Sequence, residues 1–265
     1  AHIRTFGLGG DSVVSVNSRD LKVGICLGPR RAIPLSLLST QQPQIKKILR
    51  QQNKQAIAQG TDGRFVQAMV KAEAVPKWLT RSETKLLHQL IEVGVAALAD
   101  IATTQVALGA VDRLITRGLV MLSCFTPTDA AHVLGQFDEF DTYSAELGAQ
   151  LLARQKSGSG SQLAADGLEA ARIVIDALTN HSAVALMDAA LADDRTAKTI
   201  AGQMKNKPNQ NEYLVSSSDV LRGAVTEGRN SADNGTKTAV EIALELSLPL
   251  VALGASAATY YPAIS

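Results

Sequence analysis

The chain has 265 residues, 46% of them hydrophobic, enough for one large or two modest globular cores. With 26 basic and 25 acidic residues the net charge is +1, which excludes a global field that would concentrate the protein on nucleic acid or an anionic membrane. The longest apolar run, Leu246 to Ala258, is interrupted by Ser247 and Pro249 and is too short to span a bilayer, so with no secretory leader visible a cytoplasmic protein is expected.

Residues 1 to 39 alternate short β-type runs with turns: Ser12 to Asn17, Leu21 to Val23 and Ala32 to Leu38, separated by Gly24 and by Gly28-Pro29. From Pro43 a helical period begins with Ile45, Ile48 and Leu49 and runs toward Gly60, with a wide polar face. Arg64 to Ala72 alternates as a strand would. After Pro76-Lys77-Trp78 the chain becomes helical: Thr80-Arg81-Ser82-Glu83 has the form of a capping box ahead of a Leu86, Leu87, Leu90, Ile91 stripe. A short helical element, Val95 to Ala102, precedes a third helix on Ala107, Val111 and Leu114. Leu119 to Cys124 then reads as a strand. This order is the outline of a winged helix-turn-helix.

Thr128-Asp129 is expected to cap a short helix through Leu134-Gly135, with Tyr143 to Arg154 as the next helix. Lys156-Ser157-Gly158-Ser159-Gly160-Ser161 has the composition of a flexible surface loop. Leu168 to Leu191 carries apolar residues on two faces, which predicts a buried helix broken near Asn180-His181. Polar loops over 206–218 and 227–235, a helix at 239–245 and an apolar strand at 248–253 complete the reading. Cys26 and Cys124 lie far apart without metal-ligand spacing and are expected to be buried, reduced thiols.

Three segments carry candidate chemistry. In Gly7-Leu8-Gly9-Gly10-Asp11-Ser12, consecutive amides suit a phosphate, Asp11 a hydrated divalent cation and Ser12 a hydroxyl donor; a glycine-rich turn between strands is the bland alternative. In Thr126-Pro127-Thr128-Asp129-Ala130-Ala131-His132, Asp129 and His132 are spaced to share a metal or proton, against a helix cap followed by a surface histidine. Arg30-Arg31 is either an anion clamp or a solvated pair. As a DNA reader the third helix is poor: it offers Arg113 and Arg117 but also Asp112, and the following strand is apolar.

Taken in order, Arg4-Thr5-Phe6-Gly7-Leu8-Gly9-Gly10-Asp11-Ser12, Gly28-Pro29-Arg30-Arg31, Phe125-Thr126-Pro127-Thr128-Asp129-Ala130 with Leu134-Gly135, and Leu248-Pro249-Leu250-Val251 to Tyr260-Tyr261-Pro262-Ala263 resemble the hydantoinase/oxoprolinase family, hydantoinase A subunit type. The resemblance implies an α+β, helix-rich chain: part of one lobe of an actin, sugar kinase and Hsp70-type ATPase fold with an inserted winged-helix-like module. It implies an ATP-dependent hydrolase that opens a cyclic amide such as a hydantoin or 5-oxoproline, working with a second subunit of hydantoinase B type. The implied parts are 1–75 in the ATPase lobe, 76–140 as the inserted module and 141–265 returning to the lobe. Asp11 and Asp129 are the catalytic candidates, and Gly9, Gly10, Ser12, Gly254 and Ala255 the nucleotide-side candidates, with no protein metal ligands.

The family's two Asp-x-Gly-Gly-Thr phosphate loops do not occur in these residues, and the start at Ala1 suggests a central piece of a longer protein. ATP and Mg²⁺ are therefore expected to belong to the longer protein and not to the isolated chain. A noncatalytic interaction or DNA-binding module is the alternative. Asp129 itself is expected to cap the helix from Ala130, at a cost of about 0.5–2 kcal/mol when replaced by Ala and less by Asn.

Overall fold

The computed structural model describes residues 6–16 and 24–191; the expectations for 17–23 and for everything beyond 191, Gly254 and Ala255 included, lie outside the described residues. The chain divides into two units, Gly7–Leu178 and a second comprising Ala1–Phe6 with Thr179–Ser265. The first unit is an α+β fold. No helix among the described residues is long and apolar enough to cross a membrane.

An antiparallel ribbon of β1 (Ser12–Val16) and β2 (Ile25–Arg31) leads into β3 (Ile33–Pro34) and helix α1 (Leu35–Gln41). The expected β-run from Ala32 to Leu38 thus ends after two residues. Pro34 has no N–H to continue a ladder, and Leu35 and Leu38, one helical turn apart, are both fully buried. Helix α2 (Ile45–Asn53) buries Ile45, Leu49 and Gln52 on one stripe and stops seven residues short of Gly60. Arg154 helps to end it by donating to the carbonyls of Asn53, at 2.8 Å, and of Gln55.

Strand β4 (Phe65–Ala68) is shorter than the sequence pattern and gives way to a single 3-10 turn at Ala72–Ala74. Helix α3 (Arg81–Val93), β5 (Val95–Ala97), the one-turn α4 (Leu98–Ile101), α5 (Gln105–Thr116) and β6 (Val120–Cys124) follow. The expected short helix at 95–102 is therefore a strand plus one helical turn. The four-stranded sheet has the order β3-β6-β4-β5, with β3 parallel to β6 and the other pairs antiparallel. Because β4 lies between β5 and β6, this sheet joins residues on both sides of Pro76. One core forms where Leu86, Leu87 and Leu90 of α3 and Val111 and Leu114 of α5 meet Val66, Val120 and Leu122 of the sheet.

Helices α6 (Pro127–Val133) and α7 (Thr142–Ala153) pack on each other, and α7 also packs on α1 and α2. Between α7 and the last described helix, α8 (Gly167–Leu191), the serine-glycine segment is an ordered turn and not a loose loop: Lys156 and Gln162 form a β-bridge, and Ser157 is buried with its amide donated to the Ser161 carbonyl. Helix α8 runs unbroken from Gly167 to Leu191. Asn180 and His181 cost a helix only a few tenths of a kcal/mol each, too little to stop it. Cys124 is buried and its thiol pushed up to about 11 by desolvation, whereas Cys26 is exposed on β2, contrary to expectation; both are free.

Thr80 and Glu83 form the complete capping box at the start of α3. Glu83 is buried, and its carboxylate also receives Arg113 at 2.7 Å and Arg117 at 3.1 Å, the latter stacked on Trp78. The Arg113 contact, then the Thr80 amide, hold its pKa at about 2. A carboxylate depressed in the fold stabilises it above its unfolded pKa of about 4.3, and that stabilisation is lost as pH falls toward 2. Half-exposed guanidinium groups reduce the effect by screening. We expect Glu83→Gln to cost about 1–2 kcal/mol at neutral pH and to flatten the acid limb of stability, measured by urea denaturation at several pH values.

Candidate functional site

Three of the segments singled out in the sequence meet at one place. The Gly7–Ser12 loop is closed internally: the Gly9 amide donates to Ser12 Oγ at 2.9 Å, the Ser12 amide to the Gly9 carbonyl at 3.1 Å, and the Ser12 hydroxyl reaches the Gly7 carbonyl at 3.4 Å. It is seated on Gly28-Pro29: a Cβ on Gly7 would lie 2.8 Å from that of Pro29, and a Cβ on Gly28 would collide with the Gly7 carbonyl. Gly28 has φ of +59°, so both its conformation and its space require glycine. From the other side, Thr128 donates its amide and its hydroxyl, each at 2.8 Å, to the Gly10 carbonyl across 118 residues.

Asp129 fixes that approach. Helix α6 is capped by Thr126, not by Thr128-Asp129, and Asp129 is the third residue of a reciprocal capping box with Thr126. The carboxylate does more than close the box. Its Oδ1 accepts from the Ser36 amide at 2.8 Å and hydroxyl at 2.6 Å, and its Oδ2 from the Leu35 amide and the Thr126 amide, each at 3.0 Å, and the Thr126 hydroxyl at 3.1 Å. One fully buried carboxylate therefore serves the N-termini of both α1 and α6, facing the positive ends of two helices. Burial raises its pKa, and the hydrogen bonds from Ser36, Leu35 and Thr126 oppose that rise. With no exposure, and both oxygens engaged by the chain's own donors, Asp129 is here a joint between helices.

Asp11 is placed differently. Its carbonyl receives the Ala32 amide at 2.8 Å, while its carboxylate, about one-third exposed, pairs with the largely exposed Arg31 at 2.6 Å. Of the two catalytic candidates it is the one open to a ligand. Arg30 turns away to Asp112 at 2.5 Å and Thr116 at 3.2 Å, so the two arginines do not form one anion clamp.

His132 is not brought to Asp129 and is not on the surface. It is 2% exposed, its Nδ1 lies 3.3 Å from Thr142 Oγ1, and its Nε2 has no partner. No group of three or more His, Cys, Asp or Glu among the described residues is arranged to hold a metal. On α5 and at its C-cap, the arginines that a DNA reader would need, Arg113 and Arg117, are committed to Glu83, and Asp112 to Arg30.

No family model, curated protein or solved structure matches this chain. Away from the site, a cleft of about 380 Å³ opens between β4, the 3-10 turn and α3, lined by Ala68, Lys71, Glu73, Leu90 and Ile91; it includes none of the sequence-predicted site residues. What sequence reasoning missed is the pairing of Asp129 with Leu35 and Ser36 and of Thr128 with Gly10. The signal on offer was a capping-box spacing from Thr126 to Asp129 and a strand-proline-helix junction lacking any local cap.

Proposed function

We propose that this chain works in an ATP-coupled hydrolase that opens cyclic amides, of the hydantoinase/oxoprolinase kind, and that it contributes part of one lobe of an actin, sugar kinase and Hsp70-type fold. The observation supporting this reading is the convergence of the Gly7–Ser12 loop, Gly28-Pro29 and Thr126–Asp129, three of the four segments on which the resemblance rests.

The Gly7–Ser12 loop does not by itself form a nucleotide cradle. The Gly9 amide is spent on Ser12, the Ser12 hydroxyl faces the Gly7 carbonyl, and the Asp11 carboxylate is held by Arg31. We therefore assign no step at this loop to ATP or Mg²⁺. Its part in the proposal is to present Asp11 and Arg31 at the rim of a rigid loop, where a polar ligand meets a carboxylate beside a guanidinium.

Two results follow. The isolated chain should show no ATP hydrolysis above background. The gene product that carries this sequence, purified with a second subunit of hydantoinase B type, should open hydantoin or 5-oxoproline only with Mg²⁺-ATP present. Asp11→Asn should leave stability within about 1 kcal/mol, as befits a half-exposed ion pair, yet lower the ring-opening rate at least about tenfold. Ring opening without ATP, none with it, or an unchanged Asp11→Asn rate would overturn the proposal.

A further inference from the structure

The segment Gly135–Asp141, between α6 and α7, covers His132. Phe137 stands edge-on to the imidazole, with ring centres 4.9 Å apart and an interplanar angle of 69°, and Phe140 lies 5.8 Å away. The two phenyl rings also touch each other edge to face at 5.6 Å. At its start the segment is tied by the Gln136 amide to the Ala131 carbonyl at 2.9 Å, and at its end by the Asp141 amide to Ser36 at 3.4 Å. Between the phenylalanines, Asp138 and Glu139 are exposed.

This arrangement suits only a neutral ring. A buried imidazolium must donate from both nitrogens, and Nε2 has no acceptor where it stands. The charged groups around the ring are Asp138 and Glu139 on the covering segment and, at the start of α7, Asp141, which pairs with Lys46 of α2. Asp129, on the ring's own helix, spends both oxygens at the other end of that helix. The carboxylates that would accept from a charged ring thus sit on the covering segment itself and reach Nε2 only if it moves.

We propose that His132 is a proton-operated latch: neutral, it holds Phe137 and Phe140 closed over it, and protonated, it releases the segment Gly135–Asp141 so that Asp138 or Glu139 can accept from Nε2. Burial lowers the imidazole pKa, and the three carboxylates partly oppose this. A histidine depressed in the closed form favours that form above its unperturbed pKa of about 6.5, and the preference is lost as pH falls through the lowered value.

Amide hydrogen exchange corrected for intrinsic rates, with a parallel NMR titration of the imidazole ring, tests this on the whole chain. Between about pH 7.5 and about pH 5 the protection of Gln136 and Asp141 should fall at least about tenfold, with the midpoint of the His132 ring titration. His132→Phe should abolish the pH dependence. The Asp138→Asn, Glu139→Gln double variant should move the midpoint to lower pH. Protection that stays constant across the ring titration, or that falls equally in His132→Phe, would overturn the latch; should that variant not fold, the wild-type comparison of the two midpoints decides alone.

Discussion

Replacing Asp129 by Ala should cost about 3–5 kcal/mol, well above the loss of an ordinary helix cap, because three buried amides lose their acceptor together. Those amides belong to Leu35, Ser36 and Thr126, and two hydroxyls lose a partner as well. Against a total folding stability of about 5–15 kcal/mol, a loss of this size leaves a marginal protein. Asn is no rescue. Each carboxylate oxygen accepts at least one backbone N–H, so one of the two sites would face an amide NH₂, donor against donor, at about 2–4 kcal/mol. The sequence had suggested a smaller penalty for Ala and a smaller one still for Asn, on the assumption of a local cap. Ser36→Ala, which removes a single donor, should cost only about 0.5–1.5 kcal/mol. Urea denaturation of the three variants checks the order; an Asn variant as stable as the wild type would show that one of the two helix ends does not depend on this carboxylate.

Gly28→Ala carries the second large effect, about 3 kcal/mol, from two sources. A residue with a Cβ at φ of +59° costs about 1–2 kcal/mol in backbone strain alone. The Cβ would also drive into the Gly7 carbonyl, which is backbone and cannot swing aside as a side chain would. Gly118→Ala separates the two sources. That glycine also has positive φ, at +71°, but an added Cβ would have nothing within 4 Å, so it should lose only the strain, about 1 kcal/mol. Equal losses at the two positions would mean that the Gly7–Ser12 loop does not press on Gly28.

What was legible in the chain follows from how local each cause is. The start of α3 could be read because Thr80 and Glu83 sit three residues apart and satisfy each other. The apolar stripes of α3 and α5 could be read because burial on one helix face leaves a period in the sequence. Helix α1 could not. It has no side-chain cap of its own, Pro34 precedes it, and its first amides are satisfied by a carboxylate 94 residues away. The start of α6 was misplaced by three residues for a related reason, since Asp129 looks like a cap when its second set of partners is unseen. His132 looked exposed because the rings that cover it come after the helix ends. The convergence of Gly10 with Thr128 leaves no trace in spacing or composition, although each of the segments was conspicuous by itself.

The claim on which the functional reading rests is that the Thr126–Asp129 segment holds the Gly7–Ser12 loop in place. Amide exchange of Gly9 and Ser12 in Thr128→Val tests it most directly, because that change removes the hydroxyl bond to Gly10, one of the two that Thr128 makes there, while keeping the side chain's shape. If the loop is held from α6, exchange at Gly9 and Ser12 should quicken about tenfold while the β4–β6 ladder stays protected. Exchange at Gly9 and Ser12 unchanged by Thr128→Val would contradict it.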